Sequence, residues 1–241
     1  LSFLKEIVGA LKLLTILPIP FKEELRGSSA YFPLAGWFIG VVLYLGWTVM
    51  APLPLFVQVF LVIFMWELLS RGLHIDGLAD TADALMAGGC RERMLKIMED
   101  SKIGAFGILA IVLLVLGKFS VMSSNDWWNT RAALIGAPVF ARYFLTLGAF
   151  IFKPAKEGGL GSLIISSTGS KELIIATLIG CLPAYVIFEQ AAVYATIGFI
   201  FPLALLLYAR WKLGGLNGDV LGAALEITEL ITLIIFLPLF Y

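Results

Sequence analysis

Residues 71–107 read RGLHIDGLADTADALMAGGCRERMLKIMEDSKIGAFG and gather more ionisable side chains between two apolar runs than any other part of the chain. Asp76, Asp80 and Asp83 stand at i, i+4 and i+7, a spacing that on a helix turns all three carboxylates to one face. Three like charges in a row repel, so water, a cation or a ligand must balance them. The paired glycines at 88 and 89 break this helix, and residues 91–100 form a second short amphipathic helix before Gly104 and Gly107.

What flanks this stretch decides the fold class. Of the 241 residues, 60% are hydrophobic and only 14% charged, and the mean hydropathy is +0.97, whereas soluble domains carry roughly 25% charged residues. Apolar windows of about 20 residues recur along nearly the whole length, the signature of membrane-crossing helices. The expectation is an all-α polytopic helical membrane protein, a single integral membrane domain over 1–241. A formal net charge of zero offers no basic field for nucleic acid. Cys90 and Cys181 are far apart and form no CxxC, which argues against a disulfide framework or a thiolate metal site.

Residues 2–17 place apolar side chains at helical spacing around Lys5, Glu6 and Lys12 until Pro18 and Pro20 stop the pattern, so an amphipathic helix at the membrane interface is expected. No small-residue cleavage site follows its apolar part, and the segment is read as mature protein. Seven transmembrane helices follow, over 31–50, 55–70, 103–120, 132–152, 171–188, 191–209 and 220–240. A small loop with Asp126 and two tryptophans suits the headgroup level. The side holding 22–26, 71–107, 153–171 and 210–219, with Lys5 and Lys12, collects 14 of the 17 Lys and Arg, while Lys118 and Arg131 fall opposite. By the positive-inside tendency, segment 71–107 faces the cytoplasm of a multi-pass cell-membrane or inner-membrane protein, with the C-terminus outside.

The ladder of Asp76, Asp80 and Asp83, with Glu67 upstream and Glu226 as a further candidate, offers hard oxygen ligands suited to Mg2+. The bland alternative is a solvated acidic helix, yet Gly77, Ala79, Ala82 and Ala84 leave small surface around the carboxylates, as a close-approaching partner requires. Asp100, Ser101 and Lys102 are either substrate contacts or an ordinary juxtamembrane group, and Arg91 and Arg93 are either phosphate contacts or generic cytoplasmic charges. His74 either deprotonates a hydroxyl or fixes its loop. Segment 153–170 is read as a flexible loop with anion-binding capacity, its GGLGS either a mobile cap or plain linker. Arg142 in mid-span must face the bundle interior, to pair with a carboxylate such as Glu226 or Glu229 or to bind an anion. Asn217 and Asp219 enter the last span from the same side as the acidic ladder.

GLHIDGLADTADAL, KIMEDSKIGAFG and GGLNGDVLGAALEITE, together with LTILPIPF and PLAGWFIG, resemble the cobalamin synthase family of adenosylcobinamide-GDP ribazoletransferases over nearly the whole chain. The resemblance implies a Mg2+-dependent membrane enzyme that joins adenosylcobinamide-GDP to alpha-ribazole or its 5'-phosphate and releases GMP. It carries the family's acidic motif onto Glu67, Asp76, Asp80 and Asp83, a second motif onto Asp100, Ser101, Lys102, Gly104 and Gly107, and a third onto Gly218, Asp219, Gly222 and Glu226. Asn217 departs from the small hydroxyl residue expected there. Asp83 is the favoured general base, with Asp80 and His74 beside it, and a homodimer is a further expectation. The family is also similar to CDP-alcohol phosphotransferases, but Asp80 stands where their motif has Arg and no DxxxD follows at 88–100. A transporter or channel using Glu67, Arg142 and Glu226 as an ion path is the competing class.

Overall fold

The computed structural model describes residues 2–124, 127–187 and 198–236, and all its regular elements there are helices. The Asp126 loop, the start of the expected sixth span (191–197) and the end of the last (237–240) lie outside the described residues. In chain order the helices are α1 (Ser2–Leu14), α2 (Phe32–Val49), α3 (Leu55–Leu69), α4 (Leu73–Ala87), α5 (Arg91–Met98), α6 (Ala105–Ser124), α7 (Trp127–Ile151), α8 (Gly159–Ser167), α9 (Ser170–Ile187), α10 (Ile200–Leu213) and α11 (Gly218–Ile235).

Helices α2, α7 and α11 form the centre. A Cβ on Gly36 would sit 2.6 Å from the Pro138 carbonyl and one on Gly40 2.8 Å from the Ile135 Cα, so glycine lets α2 lie directly against α7. This small-residue face is used within the chain and is not left over for a second copy. Helix α11 packs on α7 along one side and α4 along another, and Val220 to Leu225 are all buried.

The outer faces are apolar. On α3, Phe56, Phe60, Phe64 and Leu68 recur every fourth residue and are all more than half exposed. On α6, Leu109, Leu113 and Leu116, at i, i+4 and i+7, are also more than half exposed. Such a belt is unfavourable in water and matched to hydrocarbon. Ser28–Val49, Ala105–Ser124 and Thr130–Ile151 are long and apolar enough to cross a bilayer, and two bent helix pairs raise the number to at most five. Seven spans were expected from sequence. Among the described residues, α10 is only 14 residues long and α11 carries Asp219, Glu226 and Glu229, so neither reads as a span by length and composition.

The two bends shape the functional face. Between α3 and α4, Arg71 (φ 59°) and Gly72 (φ 63°) are both left-handed, and the axis turns by 87°. The aspartate-bearing helix therefore does not continue the preceding span. Within 153–170, the expected flexible loop instead contains α8, set at 93° to the start of α9.

A candidate active site where α4 crosses α11

Helices α4 and α11 come together closely at Gly77, where a Cβ would lie 2.9 Å from the Asp219 Cα and carbonyl oxygen. The absence of a side chain brings Asp76 and Asp80 to Asp219. Burial, then the charges of Asp76, Asp219 and Asp83, push the Asp80 carboxyl up to about 6. Asp219 is also raised, by burial and by Asp76, with Lys156 and a hydrogen bond from Asn217 opposing. Among the described residues no cation is paired with Asp76 or Asp80. Gly77→Ala is expected to force the two helices apart and lower both the thermal midpoint and turnover; a midpoint and turnover equal to wild type would contradict the close approach.

Asp219 is held from behind. The Asn217 Oδ1 accepts the Val220 N–H at 3.0 Å, capping α11, while its Nδ2 donates to Asp219 Oδ2 at 2.8 Å. Asn217, a candidate substrate contact from sequence, lines the cavity and at the same time caps the helix and holds Asp219.

Asp83, the favoured base from sequence, is engaged by backbone. Its Oδ2 accepts the Gly104 N–H at 2.6 Å and its Oδ1 the Gly107 N–H at 2.9 Å, and it is buried. The carboxylate clamps α4 to the first turn of α6, where free N–H groups favour negative charge. A Cβ on Gly104 would collide with this carboxylate, which explains the glycine there. Asp83→Asn replaces one acceptor by a donor facing an N–H, with an expected loss of about 1–3 kcal/mol of stability, readable by thermal unfolding.

The remaining acids expected at the metal are neutralised deeper in the bundle. Lys118 Nζ lies 2.9 Å from Glu67 Oε1, 2.7 Å from Glu226 Oε2 and 2.9 Å from Glu229 Oε2, and over the Trp66 ring at 4.7 Å. Glu229 also pairs with Arg142 and accepts from Trp66 Nε1 at 3.0 Å. Glu67 and Glu226, candidate metal ligands from sequence, are thus engaged in ion pairs here, and Arg142, a candidate substrate contact, is fully buried against a carboxylate. Lys118, assigned from sequence to the side opposite segment 71–107, is completely buried. Closed into one cluster, these groups do not string out into an ion path.

Beside Asp219 lies a cavity of about 350 Å3. Its walls come from α1 (Leu13, Leu14), α5, α7, α8 and the start of α11, so the interface helix contributes to the site. His74 lines it, is 4% exposed, and has an Nε2 without a hydrogen-bond partner among the described residues. The Nε2 itself is closed off from the cavity, and the ring's Nδ1 lies on the Gly222 side, 3.6 Å from where a Cβ there would stand. At the rim, Lys156 pairs with Glu99. Neither was singled out from sequence; the only hint was the lysine content of 153–170, because the pairing spans 57 residues.

With this geometry in place, the comparisons are decisive. The cobalamin-5-phosphate synthase family matches residues 6–237. The chain belongs to that family. It is 35% identical to the adenosylcobinamide-GDP ribazoletransferase of Caldanaerobacter subterraneus subsp. tengcongensis, over 97% of this chain and 98% of that protein. It is 37% identical to the protein of the same name from Herpetosiphon aurantiacus, over 95% of each. No solved structure matches the chain.

The parts of this cobalamin-5-phosphate synthase family member that its motifs bring forward do not all converge. Asp100, Ser101 and Lys102 are exposed on the turn between α5 and α6 and do not line the cavity; the Lys102 N–H donates to Asp100 Oδ1 at 3.1 Å. Arg91 donates to the Ala155 carbonyl, tying α5 to the loop at 153–158, and Arg93 lies exposed over Gly89. Among the described residues no three His, Cys, Asp or Glu side chains converge as a ready metal cage. Asp76 and Asp80 nonetheless form an uncompensated pair of hard oxygen donors, which fits an ion that takes one or two carboxylates and fills its shell with water and phosphate.

Proposed function

We propose that the chain transfers the phosphocobinamide group of adenosylcobinamide-GDP to alpha-ribazole or its 5'-phosphate, releasing GMP, with Mg2+ as cofactor and the site on the cytoplasmic face of the cell or inner membrane. One observation carries the reading: Asp219 belongs both to the acidic cluster with Asp76 and Asp80 and to the wall of the cavity. An acid-rich phosphate site and an organic-ligand cavity sharing one carboxylate is the layout a phosphoryl transfer to a bulky alcohol needs. The names of the relatives support the same reaction.

Asp76 and Asp80 would hold Mg2+ together with the donor's phosphate oxygens. When bound, the ion offsets the pyrophosphate charge and the charge of the leaving GMP. Asn217 engages Asp219 Oδ2, leaving Oδ1 to take the proton of the attacking hydroxyl. The new bond joins that oxygen to the phosphorus on the cobinamide side; the bond from this phosphorus to the bridging oxygen breaks, and GMP departs. A carboxyl raised by burial is a better base for this step than an exposed one.

Asp76→Asn tests the metal role. Expected is a rise of roughly tenfold or more in the Mg2+ concentration giving half-maximal GMP release, with lower turnover. Normal turnover at unchanged Mg2+ dependence would sink it.

A further inference from the structure

We infer that the C-terminal end of α10 is a docking surface for an anionic phospholipid, built from Tyr208, Arg210, Trp211 and Lys212. Such a surface is independent of the reaction and sets how the chain meets the bilayer.

Helix α10 has two faces. Pro202, Leu206, Ala209 and Leu213 are buried, while Phe201, Leu207, Tyr208 and Trp211 are 69%, 49%, 43% and 73% exposed. At about 100° per residue these four fall on one side of the helix. The apolar stripe ends at Trp211, with Arg210 and Lys212 on its two flanks in the last turn. Hydrocarbon therefore gives way to headgroups at this turn, where tryptophan, tyrosine and long cationic side chains are favoured. The same turn leads within a few residues to Leu216, whose N–H donates to the Lys153 carbonyl at 2.9 Å and which lines the cavity beside Asp219. The basic end of α10 thus lies on the face that carries the candidate site.

The four side chains hold one another in place. The Tyr208 and Trp211 ring centroids are 5.9 Å apart, and Lys212 Nζ stands 5.7 Å from the first and 4.3 Å from the second. On the other flank the Arg210 guanidinium carbon lies 5.9 Å from the Phe152 ring centroid. Ring faces fix the cations but leave their N–H donors available to oxygen. Among the described residues neither Arg210 nor Lys212 is paired with a carboxylate. Two such cations beside an exposed tryptophan match a lipid phosphate whose acyl chains run back along Leu207 and Phe201.

A soluble phosphate is a poorer match. A helix C-terminus presents carbonyls and partial negative charge, not free N–H groups, and the Gly214 N–H is already given to the Arg210 carbonyl at 2.9 Å. A free ion would meet only two screened charges, whereas a lipid adds contact along the stripe.

The test offers the purified full chain equimolar phosphatidylglycerol and phosphatidylcholine in detergent and counts retained lipid by native mass spectrometry. Wild type is expected to keep phosphatidylglycerol in preference. Arg210→Gln with Lys212→Gln should cut that preference roughly tenfold or more, from about fivefold per cation, and Trp211→Ala should weaken it. Arg210→Lys with Lys212→Arg should retain most of it. Lys22→Gln with Arg26→Gln removes two exposed cations elsewhere and should leave the preference unchanged. Arg210→Gln alone, at an exposed position, keeps the test decisive if the double variant unfolds early. No preference in wild type, an undiminished one in the Arg210 variants, or an equal loss in the Lys22 and Arg26 control overturns the proposal. Displacement of the lipid by inorganic phosphate overturns it in favour of a free-anion site. A dimer that Trp211→Ala splits overturns it in favour of a second copy of the chain.

Discussion

Asp219→Asn is expected to lower the rate of GMP release about a thousandfold at saturating substrates, with the thermal midpoint of the purified protein close to wild type. The side chain is only partly buried and its main neighbours are acids, so removing its charge relieves repulsion from Asp76 and Asp80 instead of breaking an ion pair. The amide can still accept from Asn217, since either oxygen position of the carboxylate is replaced by a group that a side-chain flip makes an acceptor. What is lost is the ability to take a proton. Turnover within a few fold of wild type would remove Asp219 from the chemistry and return the choice of base to the remaining groups.

Lys118→Met is expected to have the largest effect on the fold. The ammonium is completely buried and bridges Glu67, Glu226 and Glu229, which come from α3 and α11, while Lys118 itself is on α6. Removing it leaves one guanidinium, Arg142, for three carboxylates. Breaking a buried ion pair from one side costs about 3–5 kcal/mol because the surviving charge has no partner, so the variant should accumulate poorly and unfold well below wild type. Adding Glu67→Gln and Glu226→Gln to Lys118→Met should recover much of that loss, since the network then carries Glu229 against Arg142 alone. A single variant as stable as wild type, measured by thermal unfolding in detergent, would contradict the burial of this network.

The helical membrane character was legible because hydropathy reports it directly, and so was the acidic ladder, because i, i+4, i+7 spacing fixes a common face. Spacing did not reveal which carboxylates work together. Asp83 lies about 10 Å further along the helix axis than Asp76, against the start of α6, where backbone N–H groups claim it. Exposure follows the same gradient: Asp76 is exposed, Asp80 half-buried, Asp83 buried. Lys118 was misplaced because a lysine near the end of an apolar run reads as a boundary. The signal that could have corrected it was charge balance, since Glu67, Glu226 and Glu229 in expected spans faced only Arg142. Asp219 was placed on the same side as the acidic ladder, but its junction with the cavity depends on Gly77 meeting α11, a contact 142 positions away in sequence that no local pattern encodes. Lys156 and Glu99 were missed for the same reason.

The most direct measurement incubates the purified protein in nanodiscs with adenosylcobinamide-GDP, alpha-ribazole 5'-phosphate and Mg2+, and quantifies GMP against the corrin product by mass spectrometry. The expected result is equimolar GMP and ribazole-linked corrin, both abolished by chelating the Mg2+ and restored on adding it back. No GMP, or GMP formed without the acceptor becoming linked, would contradict a phosphoryl-transfer site at the crossing of α4 and α11.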